Sequence, residues 1–169
     1  MRSSSWHDLA LYLIARHAGA TTAQAAARFF AFQWHLVGLA PYAIFVPRTD
    51  HGDALIADVQ QWIATRLSSA TPVEEMRERS GLPARTFVRR FAGATDHAPI
   101  ENVQRMRVEE AKRRLERTDA AIERIAWAVG YEDPAAFRRL FRRIAGLTPG
   151  EYRRRFQVPA YAQPPDGRP

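Results

Sequence analysis

The chain has 169 residues, 46% of them hydrophobic, which is enough to bury at least one core and short enough for one or two small domains. It contains no cysteine, which excludes disulfides, thiolate catalysis and cysteine zinc sites. The net charge of +7 is concentrated late: residues 1–70 hold five arginines against four aspartates, and residues 71–169 hold nineteen arginines and one lysine against fourteen acids, so a polyanionic partner would meet the C-terminal part.

No run reaches the roughly 18 apolar residues of a membrane span, and the Met-Arg-Ser-Ser-Ser start lacks the apolar stretch of a signal peptide, so a cytoplasmic protein is expected. In chain order, the spacing of Trp6, Leu9, Ala10, Leu13, Ile14 and His17 predicts a helix over 5–18, stopped by Gly19. A second is predicted from about Thr22 to Val37, with Ala26, Phe29, Phe30, Gln33 and Trp34 on one side. Leu39–Pro47 is apolar and broken by prolines, so it reads as a loop or short extended piece. Asp50 or Asp53 caps a third helix to about Leu67, with Leu55, Val59, Trp62, Ile63 and Leu67 as its stripe. The last residues, 157–169, are rich in proline and are expected to be disordered.

Between residues 71 and 156 the chain repeats itself at a spacing of about 50 residues. In the first copy Thr71 and Glu74 form a capping box ahead of Val73, Met76 and Ser80; Gly81 turns the chain, and Phe87, Arg89 and Phe91 follow. In the second, Ile122, Ile125, Val129 and Gly130 occupy the matching positions, and after one inserted residue Phe137, Arg139 and Phe141 match in turn. Pro99 and Pro149 then open further helices. Each copy is two short helices about a glycine turn, with arginines on the second, which is the pattern of a helix-turn-helix.

The helix between the copies, about 99–117, carries Ile100, Val103, Met106, Ala111 and Leu115 on one side. Its length of about 27 Å is close to the ~34 Å between successive major-groove faces of one duplex.

The second copy has the clearest signals. Asp133 is a good N-cap and Pro134 suits the first helical position. At about 100° per residue, Leu140, Phe141 and Ile144 share the face of Phe137, whereas Ala135, Arg138, Arg139, Arg142 and Arg143 cover the other. By the same wheel Arg85 matches Ala135, Arg89 matches Arg139 and Val88 matches Arg138. Arg85, Val88, Arg89, Ala135, Arg138 and Arg139 are therefore the expected base contacts, with Val88 suited to a thymine methyl. Arg142, Arg143, Arg153 and Arg154, further from the helix start or in the basic turn near the C-terminus, are expected on phosphates. Arg90 matches Leu140 at the core margin, where a packed stem is at least as good a reading as DNA contact.

The stretches SGLPARTFVRRF, RMRVEEAKRRLE and VGYEDPAAFRRLFRRIAGLTPGEYRRRF resemble the DNA-binding domain of AraC/XylS-type transcription regulators over residues 55–156. The resemblance implies an all-α fold of two helix-turn-helix units, about 71–92 and 121–145, joined by the linking helix and preceded by two or three N-terminal helices. Residues 1–50, notably SSWHDLALYLIARHAG, resemble the end of the class I glutamine amidotransferase-like sensor that precedes this domain in one subgroup. The strands and pocket of that sensor are missing from the sequence, so this segment is expected to be a remnant. Trp34, Leu36, Val37, Leu39, Tyr42, Ile44 and Phe45 would then face the missing part and favour self-association.

The function expected is sequence-specific binding of double-stranded DNA and regulation of transcription, with RNA polymerase as a further partner. Nonspecific binding of RNA or an anionic membrane is the alternative. It is disfavoured because the aromatic residues occupy core positions, Trp6, Trp34, Trp62 and Trp127 among them, and form no stacking platform. His7, His17, His35, His51 and His97 show no ligand spacing, and no nucleophile elbow, phosphate loop or dinucleotide fingerprint occurs. Neither enzyme activity, cofactor, metal nor membrane association is expected.

Overall fold

The computed structural model describes residues 6–32 and 40–157. The expected end of the second helix, with Gln33, Trp34 and Val37, lies outside the described residues, as do Leu36, Leu39 and the tail beyond Gln157. Among the described residues there are nine α-helices, a short 3-10 turn at Ala40–Tyr42 and no strand, as the all-α reading anticipated. They form two compact units, Met1–Ala43 and Ile44–Pro169. Residues 44–50, grouped by sequence with the first segment, thus belong to the second.

In the first unit α1 (Trp6–Ala18) and α2 (Ala20–Phe29) pair across Gly19, burying Leu11 against Ala23 and Ala27 as the small side chains allow close approach. The anticipated stripes are not the buried faces: Trp6, Leu9 and Leu13 are exposed, and Phe29 is 84% exposed. Periodicity marks a face as apolar, but two short helices can cover only a narrow seam of each other.

The second unit begins with a segment outside regular secondary structure whose Phe45 ring packs edge-on to His97, 5.7 Å between centroids, and under the Arg105 guanidinium. Phe45, expected to face a missing domain, is thus partly covered within its own unit. Seven helices follow: α3 (Ala54–Ala64), α4 (Pro72–Ser80), α5 (Ala84–Thr95), α6 (Pro99–Arg117), α7 (Ile122–Ala128), α8 (Pro134–Ala145) and α9 (Pro149–Phe156). Asp53, not Asp50, caps α3, its carboxylate accepting the Ile56 N–H at 3.2 Å.

Two apolar cores result. Ile56, Val59 and Ile63 of α3, Met76 of α4 and Phe87 and Phe91 of α5 enclose Val103 of α6. Val108, Ala111 and Leu115 of the same α6 are enclosed by Ile125 and Val129, Phe137 and Phe141 of α8, and Tyr152 of α9. Each of the four buried phenylalanines contributes about 1.5–3 kcal/mol, and α6, about 28 Å long for its 19 residues, runs through both cores.

Three local readings need correction. Thr71 makes no side-chain cap: its N–H donates instead to Ser69 Oγ at 3.2 Å, while Glu74 pairs with Arg77. A true capping box forms at Thr148 and Glu151, opening α9. Trp127 is not a core residue but 59% exposed on α7, and Ile100 is also exposed, since the buried arc of the first turn of α6 is supplied by Pro99 and Asn102.

Candidate nucleic-acid interface

The two arginine-bearing helices are held by the same device. In α5 the rings of Phe87 and Phe91 lie 5.7 Å apart at 56°; in α8 those of Phe137 and Phe141 repeat both values. All four rings are fully buried. One helical turn between aromatic anchors fixes which arc of each helix faces outward. Ahead of each, a glycine sits where φ must be positive: Gly81 at +66° and Gly130 at +88°. The Asp133 carboxylate accepts the Ala135 N–H at 2.7 Å, starting α8 firmly.

The outward arcs carry the residues anticipated. On α5, Arg85, Val88 and Arg89 are exposed; on α8, Ala135, Arg138, Arg139, Arg142 and Arg143 are. Among the described residues the side chains of Arg85 and Arg89 make no hydrogen bond or ion pair, whereas Arg142 and Arg154 lie close enough to the Glu151 carboxylate to help lower its pKa, after its hydrogen bonds with Thr148. Arg139 is 73% exposed, with its closest carboxylate, Asp133, at 3.7 Å. Three others are tethered. Arg138 bonds Glu123 of α7, Arg143 donates to Gln104 Oε1 of α6 at 3.0 Å, and Arg153 is half-buried and donates to the Ala120 carbonyl. Arg90 turns away from this surface: it forks onto Asp53 at 2.7 and 3.0 Å, tying α5 to the cap of α3. That pair draws the Asp53 carboxyl below its ordinary range, chiefly through the Arg90 hydrogen bond.

Behind the surface, residues that sequence reasoning passed over do the bracing. Arg79 of α4 forks onto Asp58 of α3 at 2.8 and 2.9 Å and lies over Trp62, whose ring also carries Arg66. Tyr152 donates to Glu116 Oε1 at 2.7 Å, and burial raises its phenol above the usual range. Arg107, 6% exposed, is the least expected. It stands four residues from both Val103 and Ala111, on the apolar stripe itself, and that position was the available signal. Among the described residues no helix is long and apolar enough to cross a membrane, and no cluster of three metal-ligating side chains occurs.

A helix-turn-helix domain family matches residues 76–155, which takes in both turns, both arginine-bearing helices and α6. The MmsAB operon regulatory protein of Pseudomonas aeruginosa is 32% identical over 103 residues, 61% of this chain and 32% of that protein. A putative AraC-like transcription regulator of Streptomyces lividans is 27% identical over 71% of this chain and 40% of its own length. The chain therefore spans well under half the length of these curated relatives. Among solved structures, the DNA-binding domain of AdpA, a global transcriptional factor crystallised in complex with a target DNA, is 35% identical with a TM-score of 0.58. That likeness covers 60% of this chain and 91% of the other.

Proposed function

The chain belongs to the family of AraC-type helix-turn-helix DNA-binding domains, and from that premise we propose that it binds double-stranded DNA sequence-specifically through α5 and α8 and so regulates transcription. The observation that carries this reading is the duplicated geometry: two helices with the same phenylalanine anchoring, each turning its arginines outward, on one polypeptide. In this reading the two helices enter adjacent turns of the major groove. Arg85, Arg89, Arg138 and Arg139 meet base edges there, and Val88 and Ala135 lie against methyl groups or sugar. Arg142, Arg143, Arg153 and Arg154 meet phosphates, with Arg153 the least available because it also supports the Ala120 carbonyl.

Regulation then consists of changing the access of RNA polymerase to a promoter. The first unit we read as related to the last helices of an amidotransferase-like sensor, a reading supported by the stretch SSWHDLALYLIARHAG and by the apolar side chains exposed at Trp6, Leu9, Leu13 and Phe29. Such surface favours association between copies.

Selection of bound sites from random duplexes tests the central claim. The expected product is a motif of two elements about 10 base pairs apart. Recovery of unrelated sequences with equal affinity would overturn it.

A further inference from the structure

Arg107 lies between the two apolar cores on the one helix that enters both. Its Nε donates to the Leu67 carbonyl at 2.7 Å and its Nη2 to the Ser69 carbonyl at 2.6 Å, both in the segment joining α3 to α4. Ser69 is also the residue whose hydroxyl accepts the Thr71 N–H at the start of α4. The other side of the same guanidinium lies over the Tyr131 ring, 5.1 Å from its centroid, in the turn between α7 and α8. That turn is fitted to it: a Cβ added at Gly130 would sit 2.7 Å from Arg107 Nη2, 2.9 Å from its Cζ and 2.9 Å from the Leu67 carbonyl oxygen. One side chain therefore joins the entry of the first helix-turn-helix to the turn of the second.

We propose that Arg107 is a positioning residue that fixes the separation of α5 and α8, and that it thereby determines which spacing between two DNA elements the chain accepts. The chemistry favours a guanidinium for this task. Its planar fork satisfies two carbonyls at once while its face stacks on an aromatic ring, which a lysine ammonium cannot reproduce. Both carbonyls belong to half-buried residues, so losing the fork leaves acceptors unpaired and releases a link between the two helix-turn-helix units that lies off the helix axis. Gly130 has a second reason to be glycine beyond its positive φ, since any side chain there pushes the fork off its seat.

The inference rests on the reading that both helices engage DNA, and its test separates the two. The first arm uses no DNA. The chain has no cysteine, so spin labels can be attached at Glu78→Cys on α4 and Ala128→Cys on α7, both exposed. A single narrow distance distribution is expected in the parent and a broad or shifted one with Arg107→Lys or Gly130→Ala. The second arm measures affinity for duplexes with both selected elements, with one base pair added or removed between them, and with one element alone. The parent should lose roughly tenfold or more on a changed spacing, because simultaneous engagement fails. Arg107→Lys should lose that discrimination yet bind the single element within about twofold of the parent. Unchanged distance distributions or unchanged spacing discrimination in a folded variant would overturn the proposal. So would loss of folding in both variants, which would make Arg107 a residue of general stability. A parent that binds one element and ignores spacing would instead count against the two-helix reading of the function.

Discussion

Among the arginines of α5 and α8, the same residue type has three fates, set by what lies within reach. Arg90 and Arg139 both follow a buried phenylalanine, by three residues and by two, yet Arg90 finds Asp53 and is held by it, whereas Arg139 stays 73% exposed. Arg143 spends one donor on Gln104, leaving most of its five N–H groups for solvent or ligand. The difference between Arg139 and Arg143 is measurable. Arg139→Ala is expected to cost about 1–3 kcal/mol on the preferred duplex and to flatten discrimination at one base pair, and Arg143→Ala to weaken all duplexes alike, with the salt slope falling by about one unit. Titrations across salt on preferred and scrambled duplexes, with matched melting temperatures as the control, decide it. Equal losses on both duplexes for Arg139→Ala would reduce the arginine face to an electrostatic surface. Charge alone could not sort these residues in the sequence: the partner of Arg90 is 37 positions away, and no local pattern announces a contact of that separation.

At the scale of elements, the best-read helix is the one with clear start signals and a firm middle. Asp133 and Pro134 start α8 and the Phe137–Phe141 pair orients it, as their chemistry suggests, and Gly146, in a left-handed conformation, ends it. The first copy was less transparent, because Ser69 competes with Thr71 for the start of α4 and lies outside the expected four-residue box. Helix α3 offers a test of how far one cap supports a neighbour, since Asp53 both caps α3 and holds Arg90 of α5. Asp53→Ala removes cap and ion pair and should lower stability by about 1–2 kcal/mol. Asp53→Asn keeps an acceptor for the Ile56 N–H and should cost less, about 1 kcal/mol at most. The pH dependence follows the direction of the carboxyl's shift: held below its ordinary range when folded, it contributes fully above the unfolded value of about 4 and loses that contribution as pH falls through the lower folded value. Denaturant titrations of the two variants at neutral and acid pH check this, the parent and Asp53→Asn converging as Asp53 is protonated.

For the whole molecule, the division between Ala43 and Ile44 implies that the second unit stands alone. A fragment of residues 44–157 is expected to keep its helicity and melt cooperatively. One starting at residue 55 should melt lower, having lost the Asp53 cap, the Phe45 contact and the ion pair of Arg48 with Asp96. Circular dichroism of the two fragments is the measurement, and an unfolded 44–157 fragment would refute the independence of the unit. The sequence placed this boundary some residues late because Leu39–Pro47 is uniformly apolar, and hydrophobicity does not say which neighbour will cover it. It missed the bracing role of Arg107 for a related reason: a charged residue on an apolar stripe reads as an interruption until the carbonyls it serves are in view.

The two copies are alike in their anchors and unlike on their outer arcs, where Arg85, Val88 and Arg89 stand opposite Ala135, Arg138 and Arg139. A chain of this kind has a head and a tail. Two identical subunits about a dyad would bind a palindrome equally well either way round, but these unequal helices would match their target in one orientation only. Turning the target end for end beside a gene would then also turn the protein, and with it whatever flank of the molecule faces the start of transcription.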